Sequence, residues 1–274
     1  GNITHTEAKD SIIIHIHGMS GDFYTNSYYP FMHDYYSKNN IAFLAGENRG
    51  VHSIKLTTKG NDFVNIGNAF EIFEECIHDI QVWIDYAEQS GYKKIYLQGH
   101  SLGPSKISYY VDQVNPKNIV GLIYISPSDM LGLVHDEYGN KDHKILYPEA
   151  KKLVAEGKGD QILSHILWES EYLSANTYLN FFSDISKTAI FNYGRQDLGW
   201  DVVNRIYLPV LAITGTKDDG IVTSMDSYKA MDLLKRQLKS SPKVTTKIYE
   251  GAEHGFDGYE KQIVEDVVEF VKSL

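Results

Sequence analysis

The sequence contains little of what cross-linked or membrane-spanning proteins need. It has one cysteine, Cys76, so no disulfide can form within the chain and a reducing compartment is expected. No apolar run is long enough to cross a bilayer, and no charged start leads into an apolar stretch of the signal-peptide kind. The sequence therefore predicts a cytoplasmic protein that has no membrane partner.

Positive charge is also in short supply. Lysine and arginine number 26 against 36 aspartate and glutamate residues, which gives a formal net charge of −10. Nucleic acids and anionic membranes select basic surfaces, so neither is an expected partner. With 42% hydrophobic residues in 274, the chain can form a large core without disulfides or a structural metal. No heptad pattern or long apolar edge indicates an oligomeric state.

Six apolar runs alternate with stretches of helical periodicity. The runs are residues 11–18, 41–50, 93–100, 119–127, 209–215 and 244–254. They are nearly continuous rather than interrupted by polar residues, which is typical of parallel strands covered on both faces. Apolar residues recur at helical spacing in residues 68–91, 104–114 and 262–274. This alternation predicts an α/β fold with a mostly parallel sheet and helices on both faces.

Residues 128–207 interrupt this alternation. The segment is polar and aromatic, with short helical patterns and no convincing strand, and the strand pattern resumes at Pro209. We therefore expect a core formed by residues 1–127 and 208–274, with 128–207 inserted as a mostly helical cap. The segment contains no repeat or flexible linker that would make it an independent module.

A serine stands between two glycines in GHSLG, residues 99–103. In a nucleophile elbow, such a serine occupies a sharp turn from a strand into a helix at the carboxyl edge of the sheet. The apolar run before Ser101 and the helical pattern after it provide that setting, and Pro104 suits a first helical turn. Ser101 is thus the candidate nucleophile; the alternative is a glycine-bounded turn with an incidental serine.

A serine hydroxyl becomes nucleophilic when a histidine accepts its proton and an acid orients that histidine. Two aspartates, Asp218 and Asp219, and then His254 follow later strands, in the order serine, acid, histidine. The carboxyl ends of parallel strands meet at one sheet edge, where these side chains are expected to gather. Neighbouring residues cannot both face one imidazole, so we favour Asp218 as the acid and keep Asp219 as the alternative. The alternative for His254 is a surface-loop histidine.

Acyl transfer also needs backbone N–H groups that bind the negative charge formed on the substrate carbonyl oxygen. The first expected donor is Leu102, directly after the nucleophile, and the second is Met19 in the loop of residues 15–23. His15 and His17 in that segment share a strand face, as a pair of metal ligands could. No third or fourth ligand has the spacing to complete such a site, so no metal or other cofactor is expected.

Five short motifs together resemble the α/β-hydrolase superfamily with a helical cap. They are HG at residues 17–18, ENRG at 47–50, GHSLG at 99–103, GTKD at 215–218 and GAEHGF at 251–256. The chain is most similar to a poorly characterised branch close to carboxylesterases and acyl hydrolases. The resemblance implies that Ser101, Asp218 and His254 form a catalytic triad. It also implies that the Met19 and Leu102 amides form an oxyanion hole.

The resemblance is incomplete at the start of the chain. Members of the superfamily usually have one or two strands before the HG strand, whereas ten residues precede Ser11 here. We therefore expect either a trimmed sheet or further residues upstream of Gly1. Arg49 in the ENRG motif is expected to tie its loop together by hydrogen bonds rather than to bind a substrate.

Substrate choice is expected to depend on the cap, which is rich in aromatic residues. Those in or beside it are Tyr124, Tyr138, Tyr147, Tyr172, Tyr178, Tyr193, Tyr207, Trp168 and Trp200. Such side chains could line a pocket for a medium-sized acyl or aromatic ester, or they could simply hold the cap on the sheet. The candidate substrate-binding residues are Asp129, Trp168 and Trp200.

The expected activity is hydrolysis of carboxylic esters of small molecules through an acyl-enzyme on Ser101. An amidase or a thioesterase would use the same residues, and the sequence does not separate these three reactions. A fold of this kind can also serve a non-catalytic ligand-binding protein, which is the alternative from a different functional class.

Overall fold

The computed structural model describes residues 1–137 and 139–274, and its centre is a seven-stranded sheet. The spatial order of the strands is β1 (Asn2–Thr4), β3 (Ile41–Gly46), β2 (Ser11–Ile16), β6 (Lys94–His100), β7 (Ile119–Ile125), β8 (Val210–Gly215) and β9 (Val244–Tyr249). Every neighbouring pair is parallel except β1 with β3. The predicted α/β fold with a mostly parallel sheet is confirmed.

Both faces of the sheet are covered, because successive side chains of a strand point to opposite sides. In β2, Ile12 and Ile14 belong to one apolar cluster and Ile13 belongs to another. The first cluster includes helices α2 (Cys76–Gln89), α3 (Gly103–Val114) and α9 (Ser227–Gln237); the second includes α1 (Tyr28–Lys38) and α10 (Glu260–Lys272). No helix in the described ranges has the length and apolar content needed to cross a membrane.

Three strands lie outside the apolar runs. The first, β1, adds an antiparallel strand at one edge of the sheet. The other two, β4 (Lys55–Lys59) and β5 (Asp62–Ile66), pair with each other in a separate hairpin whose turn contains Gly60 at a φ of +65°. These strands are short and polar, and Phe63 in the hairpin is 75% exposed. Hydrophobic periodicity does not signal such strands, since they bury little apolar surface.

The insertion, residues 128–207, contains four α-helices in its described part. They are α4 (Met130–His135), α5 (Gly139–Ala155), α6 (Ala175–Phe182) and α7 (Asp201–Arg205), and Tyr138 lies outside the described residues. The Ser174 amide and the Thr177 hydroxyl donate to the Ala69 carbonyl oxygen at 2.8 and 3.0 Å and hold α6 on the rest of the chain. The segment is helical as expected, and its separation from the core as a cap stays a prediction.

Candidate active site

Ser101 occupies the turn between the end of β6 and the start of α3, and it is partly exposed. Its φ is +62°, a left-handed conformation that costs energy for a residue with a side chain. The Ser101 amide donates to the Ile125 carbonyl oxygen on β7 at 3.1 Å, which holds the turn. Crowding requires a glycine nearby, since a Cβ on Gly103 would lie 2.2 Å from the Ile16 carbonyl oxygen. The geometry is that of a strand–turn–helix elbow.

The structure brings the acid and the histidine together at the carboxyl edge of the sheet. Asp218 follows β8 as the N-cap of a short helix, α8 (Asp219–Val222), and His254 follows β9. His254 Nδ1 lies 2.7 Å from Asp218 Oδ1, and the Asp218 side chain is fully buried. The distance from His254 Nδ1 to Asp219 Oδ1 is 3.9 Å, and that side chain is 79% exposed. Asp218 is therefore the carboxylate that orients the imidazole.

Burial and pairing have opposite effects on the protonation of these two residues. Burial alone would raise the pKa of Asp218, but the facing His254 and the Ser126 hydroxyl hold that pKa below its ordinary value. Burial alone would lower the pKa of His254, but the Asp218 carboxylate raises it above its ordinary value. Because Nδ1 donates to a carboxylate, the neutral imidazole carries its proton there and leaves Nε2 able to accept one. This is the state that a general base requires.

Two residues that sequence reasoning missed contact His254. Ser126 directly follows β7 and has a φ of +51°. Its hydroxyl lies 2.9 Å from His254 Nδ1. The His100 ring lies 4.8 Å from the His254 ring between centroids, and its Nε2 donates to the His254 carbonyl oxygen at 2.8 Å. Burial and the neighbouring His254 lower the pKa of His100 to about 4, so His100 is neutral at pH 7. The sequence signal that could have identified Ser126 and His100 is their position at the carboxyl ends of β7 and β6, the same sheet edge as Ser101.

The side chain of His254 makes hydrogen bonds with Asp218 and Ser126, and in the described part of the chain none joins it to Ser101. Ser101 directly follows His100, whose ring contacts His254, so the serine and the histidine belong to one cluster. Catalytic hydrogen bonds are often long in the absence of substrate and shorten when it binds.

The loop after β2 approaches Ser101 closely. A Cβ on Gly18 would lie 2.7 Å from Ser101 Cβ and 3.1 Å from Oγ, so glycine is needed for this approach. Within the described residues, neither the Met19 nor the Leu102 amide donates to a protein acceptor. Leu102 also precedes the first turn of α3, where helix N–H groups favour negative charge. The two expected oxyanion donors are thus unpaired, one beside Ser101 and one beside Gly18.

The two histidines considered as metal ligands have separate hydrogen-bond partners. His15 is fully buried, and its Nδ1 lies 2.8 Å from Gln98 Nε2. Nδ1 of His17 donates to the Gly18 carbonyl oxygen at 2.9 Å, and its Nε2 accepts from the Asn48 amide at 3.2 Å. These hydrogen bonds give both side chains a structural role, His15 within β2 and His17 in the loop that follows it.

One group of described side chains has the proximity that a metal site requires. It consists of Asp218, Asp219 and His254, whose possible ligand atoms lie within 4.8 Å of one another. Asp218 and His254 already form the hydrogen-bonded pair, and Asp219 is mostly exposed to solvent. Their arrangement is explained by the orientation of the imidazole.

The candidate substrate residue Asp129 makes structural contacts. Its carboxylate is fully buried and accepts from the Gly132 and Gly194 amides at 2.7 and 2.6 Å. Its own amide donates to the Gly220 carbonyl oxygen at 3.1 Å, next to the acid loop. Burial raises the pKa of Asp129 to about 6. These bonds favour a role in joining the insertion to the acid loop over a contact with substrate.

The two tryptophans proposed for substrate binding differ in exposure. Trp200 is 5% exposed and packs on Tyr193, with ring centroids 5.4 Å apart. Trp168 is partly exposed and packs on Phe182, with ring centroids 5.7 Å apart. Three tyrosines of the aromatic set are buried, namely Tyr124, Tyr178 and Tyr193. Packing therefore explains much of this set, and of the two tryptophans Trp168 exposes more surface.

Arg49 ties its loop to α2, as the sequence predicts. Its Nε and Nη2 atoms donate to the two carboxylate oxygens of Asp79 at 2.9 and 3.2 Å. The guanidinium also pairs with Glu75. Because all three of its side-chain nitrogens contact carboxylates of α2 and the residue before it, Arg49 acts as a structural residue of the ENRG loop.

A protein-family model described as "Protein of unknown function (DUF1749)" matches residues 71–273, well over half of the 274-residue chain. The matched part includes Ser101, Asp218 and His254 and excludes the loop of Met19. A comparison with curated proteins gives no significant match.

Solved structures share the fold over nearly the whole chain. The α/β hydrolase GrgF from Penicillium sp. sh18 has a TM-score of 0.68 at 13% identity, over 99% of this chain and 92% of that chain. Est1E from Butyrivibrio proteoclasticus with bound ferulic acid has a TM-score of 0.65 at 18% identity, over 99% and 93%. The esterase Pf2001 from Pyrococcus furiosus has a TM-score of 0.61 at 16% identity, over 96% and 81%. The predicted α/β-hydrolase fold is confirmed.

Proposed function

The chain belongs to the DUF1749 family of proteins of unknown function. We propose that it is a serine hydrolase acting on carboxylic esters of small molecules. The observation that carries the proposal is the buried Asp218 carboxylate, 2.7 Å from His254 Nδ1, at the same sheet edge as the strained Ser101 turn. A histidine oriented in this way is the base that activates a serine hydroxyl.

The proposed reaction begins with proton transfer from the Ser101 hydroxyl to His254 Nε2. As the proton leaves, Ser101 Oγ bonds to the ester carbonyl carbon, and the π electrons of the carbonyl move onto its oxygen. Asp218 stabilises the imidazolium that forms, because its carboxylate is ionised and lies next to Nδ1. The Met19 and Leu102 amides bind the oxyanion.

The tetrahedral intermediate then collapses as the bond to the alcohol oxygen breaks. His254 gives that oxygen its proton, so the alcohol leaves as a neutral molecule and the acyl group remains esterified to Ser101. A water molecule attacks the acyl carbon next, with His254 again as the base. The bond between the acyl carbon and Ser101 Oγ then breaks as His254 returns the proton to Oγ, which releases the carboxylic acid and restores the enzyme without any cofactor.

Esters are the proposed substrate class because of two similar folds. Pf2001 is an esterase, and the structure of Est1E contains ferulic acid, a free carboxylic acid of the kind that ester hydrolysis releases. Amides and thioesters are the alternative substrates, since the same three side chains would act on them. A purely ligand-binding protein is less well supported, because a left-handed Ser101 costs about 1–3 kcal/mol that binding alone gives no reason to retain.

Covalent labelling tests the hydrolase class. A fluorophosphonate probe should label the wild-type protein and leave Ser101→Ala unlabelled, because the probe reacts with an activated serine hydroxyl. Absence of labelling in folded wild-type protein would contradict the proposal. Labelling that persists in Ser101→Ala would assign the activity to another residue.

A panel of p-nitrophenyl esters of increasing acyl length tests the bond type and the acyl preference. We expect turnover of at least one ester, with formation of p-nitrophenol ahead of steady state if deacylation is the slow step. Matched anilides and thioesters serve as comparison substrates. Turnover of the anilides without turnover of any ester would replace the esterase assignment with that of an amidase.

A further inference from the structure

Behind the candidate active site lies an ion pair that the proposed mechanism does not use. Nζ of Lys106 is 2.6 Å from Glu71 Oε1, and both side chains are fully buried. Apart from this contact with Lys106, neither Glu71 oxygen has a hydrogen-bond partner among the described residues. Removing two charges from water usually costs about as much as such a pair returns, so stability alone explains this burial poorly.

A second contact of Lys106 leads toward the loop that carries Met19. Its Nζ donates to Asn48 Oδ1 at 3.2 Å, and the same oxygen accepts from the Gly50 amide at 3.0 Å. These two bonds orient the Asn48 side chain so that its Nδ2 donates to the His17 carbonyl oxygen at 3.2 Å. The backbone N–H of Asn48 donates to Nε2 of the His17 ring, also at 3.2 Å. Asn48 therefore holds both the backbone and the ring of His17.

The His17 ring passes this orientation on to the next peptide. With Nε2 accepting from Asn48, the ring proton lies on Nδ1, which donates to the Gly18 carbonyl oxygen at 2.9 Å. The Gly18 carbonyl and the Met19 amide belong to one planar trans peptide, so they point in opposite directions. Holding that carbonyl fixes the direction of the Met19 N–H.

The same lysine is fixed relative to the other expected donor. Lys106 lies about one helical turn beyond Leu102, and its amide donates to the Leu102 carbonyl oxygen at 3.1 Å. One side chain at the start of α3 thus connects the elbow, through Asn48, to the loop of Met19. The positions of both expected oxyanion donors, the Leu102 and Met19 amides, therefore depend on hydrogen bonds of Lys106.

We infer that Lys106 and Glu71 are positioning residues for the oxyanion hole. Lys106 holds Asn48, and Glu71 compensates the charge of the buried lysine. The role rests on the proposed function, in which the Met19 and Leu102 amides bind the oxyanion. Donors act when they are held where charge develops, so a small shift of one peptide lowers kcat and leaves substrate binding nearly unchanged.

The first test is the double variant Lys106→Met/Glu71→Leu, which replaces the ion pair by apolar side chains and leaves no unpaired buried charge. With p-nitrophenyl butyrate as the probe, we expect kcat to fall by about 100-fold and KM to change little. Asp112→Asn is the matched control, since it removes another ion pair of α3, with Arg205, at the far end of the helix. This control should keep the wild-type kcat.

Asn48→Ala is the second variant, because it keeps the ion pair and removes the side-chain link to His17. We expect a similar loss of kcat in a protein that still folds, with a lowered thermal midpoint because the Gly50 amide and the His17 carbonyl lose a buried partner. Wild-type kcat in either folded variant overturns the inference, and so does loss of folding in both, since the pair would then be purely structural. Fluorophosphonate labelling of wild-type Ser101 is measured alongside: an unlabelled wild type refutes the hydrolase, whereas a labelled one makes the variants a test of positioning.

Discussion

Asp218 and Asp219 are adjacent in the chain and have opposite surroundings. Asp218 is fully buried with Oδ1 2.7 Å from His254 Nδ1, whereas Asp219 is 79% exposed and 3.9 Å from the same atom. The start of α8 separates them, because Asp218 accepts from the Gly220 amide as the N-cap while Asp219 lies in the first turn. A buried charge acts on its neighbour through a lower dielectric than an exposed one. Asp218 therefore dominates the electrostatics of His254.

Asp218→Asn should remove most of the activity. The amide cannot stabilise the imidazolium and favours the wrong imidazole tautomer, so we expect kcat for p-nitrophenyl butyrate to fall by about 10³- to 10⁴-fold. Asp219→Asn is the matched control and should keep most of the wild-type kcat, since its exposed charge is screened by solvent. A larger loss in Asp219→Asn than in Asp218→Asn would reverse the assignment of the acid.

The activity should also depend on pH through His254. The base must be neutral to accept the Ser101 proton, and the Asp218 carboxylate raises the pKa of His254 above the ordinary value of 6.5. We therefore expect kcat/KM for p-nitrophenyl butyrate to rise with pH and to reach half its plateau above pH 6.5. The ester has no ionisable group near this range, so the midpoint reports the enzyme. A midpoint clearly below 6.5 is inconsistent with the Asp218–His254 pair.

Ser126 is expected to support the same pair. Its hydroxyl lies 2.9 Å from His254 Nδ1 and helps to lower the pKa of Asp218. A hydrogen bond to a charged group contributes about 1.5–3 kcal/mol, so Ser126→Ala should lower kcat by about 10- to 100-fold with little change in KM. Ser128→Ala is the matched control, because the Ser128 hydroxyl donates to the Ser126 carbonyl oxygen instead. Equal effects of the two variants would argue against a specific role of Ser126.

Buried His17 should make the fold sensitive to acid. Burial and the charge of Lys106 lower the pKa of His17 to about 3, whereas the unfolded chain binds the proton near the ordinary value of 6.5. Between these values the unfolded state binds the extra proton, so the free energy of unfolding falls as the pH falls. His17→Gln cannot titrate and provides the reference.

Urea unfolding of both proteins at several pH values measures this effect. Relative to His17→Gln, the wild type should lose about 1.4 kcal/mol of unfolding free energy per pH unit between pH 6 and pH 4. The comparison cancels the contributions of groups that the two proteins share. Parallel pH dependences would show that His17 is not held neutral.

Elements that bury continuous apolar runs could be predicted to within a few residues. The run 93–100 forms β6 and the pattern 104–114 forms α3. Both are predictable because apolar side chains of each are buried in the same core cluster. The hairpin of β4 and β5 could not be predicted in this way, since it keeps residues such as Phe63 exposed. The helical pattern around Lys106 gave no sign that this lysine is buried.

Local order along the chain was enough to identify Ser101, the acid pair and His254 as candidates. Each follows a strand, and parallel strands bring their carboxyl ends to one edge. The sequence favoured Asp218 and left Asp219 open. Only the three-dimensional packing showed which of the two lies against His254, that Ser126 contacts the same ring, and that Lys106 is buried against Glu71. These features depend on atomic distances between remote segments and on the exclusion of water, which sets the strength of charge interactions and is not encoded in any local pattern.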